Sequence, residues 1–244
     1  MKERVCITGA PYSYGAGCHI GVERAPYYLR EHGLIEHLDG QNIDIRDGGN
    51  LQVGRLGVSP QDYAYDQSRT DNVIMSLYRR TRDIHESGKF PLTIGGDHSI
   101  STGSILATQA MFGPIGVISV DRHTDLLWYC VHENPPKVSC ANFLRALTDA
   151  DLSHLTEPQK PDKIATNNVA VIGVNSRHNL TRLEPPYTEM VFSAEDVAGR
   201  GIEIATREAI KRATDGTNGI YLTFDIDALN PQIAPRRELS RRFA

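Results

Sequence analysis

Two short segments of the chain, IGVISV at 115–120 and IYLTF at 220–224, are apolar at almost every position. A strand with one wet face alternates apolar and polar residues, so continuous apolar runs predict parallel strands that helices cover on both faces. Helix-like patterns lie between such runs, at 25–38, 70–87 and 201–214. This alternation predicts a layered α/β fold with a mainly parallel sheet.

The chain of 244 residues contains no internal repeat and no long low-complexity linker. We therefore interpret residues 1–244 as a single domain, because α/β folds of this length are common as one unit. The predicted strands are Val5–Gly9, Phe90–Gly95, Ile115–Asp121, Val169–Val174, Glu189–Phe192 and Gly219–Asp225.

Composition excludes several classes of partner. The net charge of −4 provides no basic field that would favour nucleic acid or an anionic membrane. No apolar run approaches the roughly 20 residues that span a bilayer, and the N-terminus lacks the apolar core of a signal peptide. The four cysteines show no C-x-x-C spacing, so neither a thiolate zinc site nor a disulfide framework is indicated. These features predict a cytoplasmic protein.

Potential metal ligands follow three of the predicted strands. His98 follows the glycine pair of GGDHS, Asp121, His123 and Asp125 lie in DRHTD, and Asp225 and Asp227 lie in FDID. Residues two apart lie on one face of an extended chain. Asp121, His123 and Asp125 can therefore point to the same side, and so can Asp225 and Asp227. Four converging carboxylates repel one another unless cations bind between them, and oxygen donors with two imidazoles suit Mn²⁺.

Each motif has an ordinary interpretation as well. A D-x-H-x-D pattern alone is typical of a solvated loop, a D-x-D after a strand is commonplace, and a histidine after two glycines could cap a helix. All three patterns occur at separate strand ends, where function gathers in α/β sheets. Together they favour a site for two metal ions.

The three motifs resemble those of the ureohydrolase family, which holds arginase, agmatinase and formimidoylglutamase. GGDHS, DRHTD and TFDIDALNP are similar to its G-G-D-H-S, D-A-H-x-D and S-F-D-x-D-x-x-D-P, and the stretch at 9–34 is similar to the opening of arginases. The likeness covers nearly the whole chain and the triple motif is highly specific. It implies a three-layer α/β/α arginase-like fold and a homo-oligomer, a trimer or hexamer.

The resemblance also implies the ligands and the chemistry. One Mn²⁺ would be bound by His98, Asp121, Asp125 and Asp225, and a second by Asp121, His123, Asp225 and Asp227. The implied reaction is attack of a metal-generated hydroxide on the carbon of a small guanidino substrate, most simply L-arginine, giving urea and L-ornithine. Asp125 would act as a ligand and as the catalytic proton acceptor.

Three internal positions depart from the family pattern. Arg122 replaces a small residue, and either reaches a carboxylate or solvent or distorts the site. Cys140 occupies the place of a family histidine that assists proton transfer. His132 either replaces that histidine or is an ordinary surface residue. Asn175 and Ser176 follow a strand where the family has an arginine, and no role is assigned to them.

The C-terminus also departs from the pattern, because the chain lacks the usual segment after the last acidic pair. Either this end is shortened, or an internal segment is missing and RREL at 236–239 is its remnant. On the second interpretation Glu238 binds the guanidinium; otherwise it lies on a solvated terminal helix.

These observations leave three candidate functions. The leading one is an arginase-type binuclear metallohydrolase, with agmatinase or another amidino hydrolase as the alternative. A metal-binding, catalytically weak relative that acts within an oligomer is the second class. A nucleotide-binding protein is the third, and it is disfavoured because GGDHSI at 95–100 is no G-x-G-x-x-G.

Overall fold

The computed structural model describes residues 4–15, 21–41, 43–53, 67–126, 137–149, 152, 155, 162–175 and 180–234. The chain divides into two compact units. Unit 1 contains Met1–Gly113 and Trp128–Asp162, and unit 2 contains Pro114–Leu127 and Lys163–Ala244. The interpretation of residues 1–244 as one domain stays a prediction.

Unit 1 is built on a sheet of three parallel strands in the order β2-β1-β3. Its strands are β1 (Arg4–Ala10), β2 (Asp44–Asn50) and β3 (Phe90–Gly95). Its helices are α1 (Ala25–Glu31), α2 (Leu34–Gly40), α3 (Gln67–Glu86), α4 (Ser101–Phe112) and α5 (Phe143–Asp149).

The core of unit 1 depends on close packing of α3 against α4. The buried residues of α3 recur at intervals of three or four, as Leu77, Thr81 and Ile84 show, which is the period of a helix with one buried face. α4 is buried throughout its first half, and a Cβ at Gly103 would lie 2.3 Å from the carbonyl oxygen of Ile74. Only glycine allows the two helices to approach so closely.

A charged network connects α1 to β2. The Arg30 guanidinium donates to both carboxylate oxygens of Asp47 at 2.8 Å, and also to the Asn50 side chain at 2.7 Å and the Pro26 carbonyl at 2.8 Å. The Arg30 hydrogen bonds hold the pKa of Asp47 below its ordinary value of 3.8. Such a two-pronged arrangement suits arginine and not lysine.

We expect Arg30→Lys to lower the free energy of unfolding by about 1 kcal/mol, because the partly exposed pair loses its two-pronged geometry. A carboxyl whose folded pKa is lowered contributes stability above its unfolded pKa, and that contribution is lost as the pH falls through the folded pKa. The difference between the parent and the variant should therefore be full above pH 3.8 and shrink below it. Urea unfolding across this range measures it, and a difference that grows on acidification would contradict the assignment.

Unit 2 is built on four parallel strands in the order β6-β5-β4-β7. Its strands are β4 (Gly116–Val120), β5 (Val169–Val174), β6 (Val191–Ser193) and β7 (Ile220–Phe224). Its helices are α6 (Ala194–Arg200) and α7 (Ile202–Ala213). α7 packs on the sheet through Ala209 and Ala213, which form a buried cluster with Ile118, Ala170 and Ile172.

The predicted α/β class and its parallel strands are confirmed, and β3 and β5 have the predicted bounds. β1, β4 and β7 each differ from their predicted bounds by one residue at each end, and three further details differ. Glu189 lies in a 3-10 helix, Tyr187–Met190, ahead of β6. The predicted helix over 25–38 is two helices, because Gly33 adopts a φ of 84° between them. β2 was not predicted, since an edge strand of sequence DIRDGGN has no apolar run. Within the described residues, no helix is both long and apolar enough to cross a membrane.

Candidate metal centre

Two neighbouring strands of unit 2, β4 and β7, end in the same local structure. The Oδ1 of Asp121 accepts a hydrogen bond from the backbone N–H of His123 at 2.7 Å, and the Oδ1 of Asp225 accepts one from that of Asp227 at 2.9 Å. The N–H of Asp225 donates to the carbonyl of Val120 at 2.9 Å, which continues the parallel register past the strands. The two aspartates therefore lie level with each other at the carboxyl edge of the sheet.

The side chains that follow these strands converge. The Nδ1 of His123 lies 3.3 Å from Oδ2 of Asp227 and 3.6 Å from Oδ1 of Asp121, and one ligand atom from each of the three lies within 4.8 Å of the others. Carboxylate oxygens of Asp121 and Asp225 also lie within 4.8 Å of each other. Asp121 is only 1% exposed. The predicted ligands of the second ion are thus close together in unit 2.

The electrostatics of this cluster show what it can bind. Asp121, then Asp227, raises the pKa of His123 from 6.5 to about 10, and the charge of Asp125 adds to the effect against the opposing effect of burial. The carboxylates therefore stabilise a positive charge at this point. A divalent cation bound by these carboxylates and by the neutral imidazole of His123 would supply that positive charge. Oxygen donors with imidazole are ligands that Mn²⁺ accepts. The donor set fits a metal ion.

A pH dependence follows for the metal-free protein. A histidine whose pKa is raised on folding contributes stability below its unfolded pKa, and loses that contribution as the pH rises through the folded pKa. We therefore expect the free energy of unfolding of chelator-treated protein to fall between pH 6.5 and about 10. Urea unfolding measures it, with His123→Asn as the comparison that should remove this dependence. An unchanged pH profile in that variant would contradict the assignment to His123.

Asp125 lies in the same loop and has an unusual backbone. It is buried and adopts a φ of 50°, a left-handed conformation that aspartate and asparagine tolerate better than most residues. The loop around it is also enclosed, since Thr124 and Leu126 are buried. This left-handed backbone conformation therefore determines where the Asp125 carboxylate lies.

His98 lies in unit 1, in a 3-10 helix (His98–Ile100) that follows β3. Its ring packs on Phe143, with ring centroids 4.4 Å apart. Gly96 is needed just before it, because a Cβ there would lie 1.9 Å from the carbonyl oxygen of Tyr12. The role of His98 as a metal ligand stays a prediction.

Asp97 is a structural residue that the sequence analysis did not identify. Its carboxylate caps the 3-10 helix by accepting the N–H of Ser99 at 3.0 Å, and it also accepts the N–H of Gly15 at 2.9 Å. The cap therefore comes from Asp97 and not from His98. The signal was available, since aspartate directly before a helix is a common cap.

The departures from the family pattern lie in different places. Arg122 is half-buried, its carbonyl accepts the N–H of Asn175 at 3.0 Å, and its guanidinium pairs with no carboxylate among the described residues. Cys140 is half-buried in unit 1, where its N–H donates to the carbonyl of Gly15 at 3.1 Å. His132, Ser176 and Glu238 lie outside the described residues.

Comparison with known proteins shows the family of this chain and supports its fold. The Arginase family matches residues 3–236. An arginase from Staphylococcus aureus (strain MRSA252) is 28% identical over 241 residues, which cover 96% of this chain and 78% of that arginase. The structure of the arginase from Bacillus caldovelox aligns with a TM-score of 0.78 at 26% identity, and covers 96% of this chain and 79% of that one. A structure described as a hypothetical agmatinase from Burkholderia thailandensis shares the fold, with a TM-score of 0.66 at 18% identity over 94% of this chain and 65% of that one.

Parallel strands between helical layers, with carboxylates and an imidazole converging at the strand ends, define a metal-dependent hydrolase with a three-layer α/β fold. The match spans almost the whole chain, and relatives named arginase cover the same region. The chain belongs to the arginase family.

Proposed function

We propose that this chain hydrolyses the guanidino group of L-arginine to give urea and L-ornithine, with two Mn²⁺ ions. The observation that carries the proposal is the convergence of Asp121, His123 and Asp227 at the carboxyl ends of adjacent parallel strands. The relatives named arginase, at 28% identity over most of the chain, support arginine as the substrate.

The proposed ligands are shared between the two ions. One ion would be bound by His98, Asp121, Asp125 and Asp225, and the other by Asp121, His123, Asp225 and Asp227. The closeness of the Asp121 and Asp225 carboxylates, within 4.8 Å, supports their role as shared ligands. His98 enters this set through its place in the GGDHS motif.

The chemistry divides between the ions and the chain. Bound divalent cations supply Lewis acidity and lower the pKa of coordinated water toward neutrality. The carboxylates neutralise the cationic guanidinium and orient it. Asp125 would accept, on a carboxylate oxygen, the proton that the attacking water loses, and would later return it to the leaving amine. The burial of Asp125 keeps this proton from exchange with bulk water.

The experiment that tests the function measures urea released from L-arginine and from agmatine, with and without added Mn²⁺. We expect turnover to require the metal, and kcat/KM for arginine to exceed that for agmatine at least about a hundredfold, because a site that binds the α-carboxylate and amine rejects an analogue without the carboxylate. The reverse preference would make the chain an agmatinase. Tight metal binding without release of urea from either compound would contradict an amidino hydrolase.

Glu238 is a proposed guanidinium ligand that rests on the RREL sequence alone. Glu238→Gln should raise KM or abolish turnover while metal content is unchanged, and a variant that turns over like the parent would contradict the role. The cytoplasmic location and the homo-oligomeric state also stay predictions.

A further inference from the structure

Asp97 is a buried acidic residue that directly precedes His98 in unit 1. Its Oδ1 accepts the N–H of Ser99 at 3.0 Å and the hydroxyl of the same residue. Its Oδ2 accepts the N–H of Gly15 at 2.9 Å, and Gly15 lies 82 residues away along the chain. The two oxygens of one carboxylate therefore connect the turn that carries His98 to a distant segment.

A helix cap alone does not require a carboxylate at this position. Serine, threonine and asparagine cap a helix about as well as aspartate, and they do so without the cost of burying a charge. An asparagine, however, offers an acceptor on one side and a donor on the other. Only a carboxylate of this size accepts from Ser99 and from Gly15 at the same time, so the contact with Gly15 accounts for the buried charge.

The segment that contains Gly15 lies directly against the His98 turn. A Cβ at Gly15 would lie 2.2 Å from Oγ of Ser99 and 2.8 Å from Oδ1 of Asp97. The N–H of Asp97 also donates to the carbonyl of Tyr12 at 2.8 Å. Because the backbones meet without an intervening side chain, the position of segment 12–15 determines the position of the turn.

The same segment is connected to the group that packs on the His98 ring. The carbonyl of Gly15 accepts the N–H of Cys140 at 3.1 Å. Phe143 begins α5 shortly after Cys140 and is completely buried. Its ring centroid lies 4.4 Å from that of His98. The backbone and the ring of His98 are therefore held by contacts that are connected to each other through Gly15.

We propose that Asp97 is a positioning residue for the metal centre, whose carboxylate fixes the His98 turn against Gly15 and so orients the His98 imidazole for the metal. The inference rests on the proposed role of His98 as a metal ligand. Groups that fix the orientation of a ligating histidine contribute about 10- to 100-fold to metal affinity. Asp97 acts only through the position of His98.

Metal titration of the full chain tests the proposal. Asp97→Asn keeps an acceptor for the N–H of Ser99 but turns a donor toward the N–H of Gly15. It should lower the Mn²⁺ affinity of one of the two ions about 10- to 100-fold. In the His98→Ala background, the same substitution should change the affinity of the remaining ion less than about threefold, because a group that acts through His98 has no effect once His98 is absent.

Two further variants make the titration specific. Asp196→Asn is the matched control, since Asp196 also accepts the N–H and the hydroxyl of one serine, Ser193, at 2.9 and 2.7 Å, but in unit 2. It should leave both metal affinities at the parent values. Asp97→Ser keeps a cap for Ser99 and does not reach Gly15, so it should reproduce the effect of Asp97→Asn and takes its place if Asp97→Asn does not fold.

A measurement without metal reports on the orientation itself. The ring of Phe143, 4.4 Å away, shifts the NMR signals of the His98 ring protons, so a reoriented imidazole changes those signals. In the chelator-treated full chain, both Asp97 variants should move the His98 ring signals and leave those of His123 in place. This readout does not depend on bound metal or on turnover.

The outcomes separate this inference from the proposed function. If His98→Ala binds as much metal as the parent, the proposed ligand set is wrong and the role of Asp97 is overturned with it. If His98→Ala loses one ion but Asp97→Asn retains both at parent affinity, only the role of Asp97 is overturned. Equal weakening of both ions, weakening of the ion that remains without His98, unmoved His98 signals, or failure of both Asp97 variants to fold would each show a merely structural role and overturn the proposal.

Discussion

Replacing Asp225 with alanine is expected to lower the affinity for divalent metal by about a thousandfold or more. A unit charge about 4 Å from a cation contributes about 4 kcal/mol at an effective dielectric constant near 20, and this carboxylate is proposed to contact both ions. The substitution also removes the Oδ1 that accepts the N–H of Asp227 at 2.9 Å, so a second ligand loses its support. Elemental analysis and metal titration of the purified variant measure the loss.

His98→Ala is the comparison within the same site. His98 is proposed as a ligand of one ion alone, so its removal should leave close to one ion bound, whereas Asp225→Ala should leave close to none. Asp225→Asn separates charge from geometry, because the amide oxygen can still accept the N–H of Asp227. Asp215→Ala is the control for loss of an exposed acidic residue in the same unit and should retain full metal content. Equal metal loss in the Asp225 and His98 variants would contradict the shared-ligand assignment.

The apolar pattern of the sequence was sufficient to predict the buried strands of the fold. β5 was predicted to the residue because its sequence, VAVIGV, is apolar throughout, as a central parallel strand requires. β2 could not be predicted in this way, because its side chains are exposed or only partly buried and its strand conformation depends on hydrogen bonding to β1. Local pattern fails where tertiary pairing determines the structure.

The candidate site was likewise predictable from the sequence only in part. The spacing of Asp121 and His123, and of Asp225 and Asp227, predicted ligands on one side of each strand end, and the structure brings Asp121, His123 and Asp227 together. The pKa of His123 could not be predicted, because it depends not only on the neighbouring Asp121 but also on Asp227, which is 104 residues away along the chain. The positive φ of Asp125 is likewise invisible in the sequence, since aspartate occurs in every common backbone conformation.

That backbone conformation determines which variant tests the role of Asp125. Alanine at a φ of 50° adds a strain of about 1–2 kcal/mol that could displace the loop, whereas asparagine tolerates the left-handed conformation and keeps the shape of the side chain. Asp125→Asn removes the negative charge and the ability to accept a proton, and little else. A loss of function in this variant therefore reports on the carboxylate.

We expect Asp125→Asn to lower kcat for urea release by about 10²- to 10⁴-fold, the range over which a positioned proton acceptor contributes. The amide oxygen of the introduced asparagine can still coordinate, so metal content should fall by less than in Asp225→Ala, and kcat is referred to the metal-loaded fraction of each preparation. Asp215→Asn, which makes the same chemical change at an exposed position, should retain the parent rate. If metal-loaded Asp125→Asn turns over at the parent rate, Asp125 is a ligand whose charge is dispensable, and the proton acceptor must be sought elsewhere in the chain.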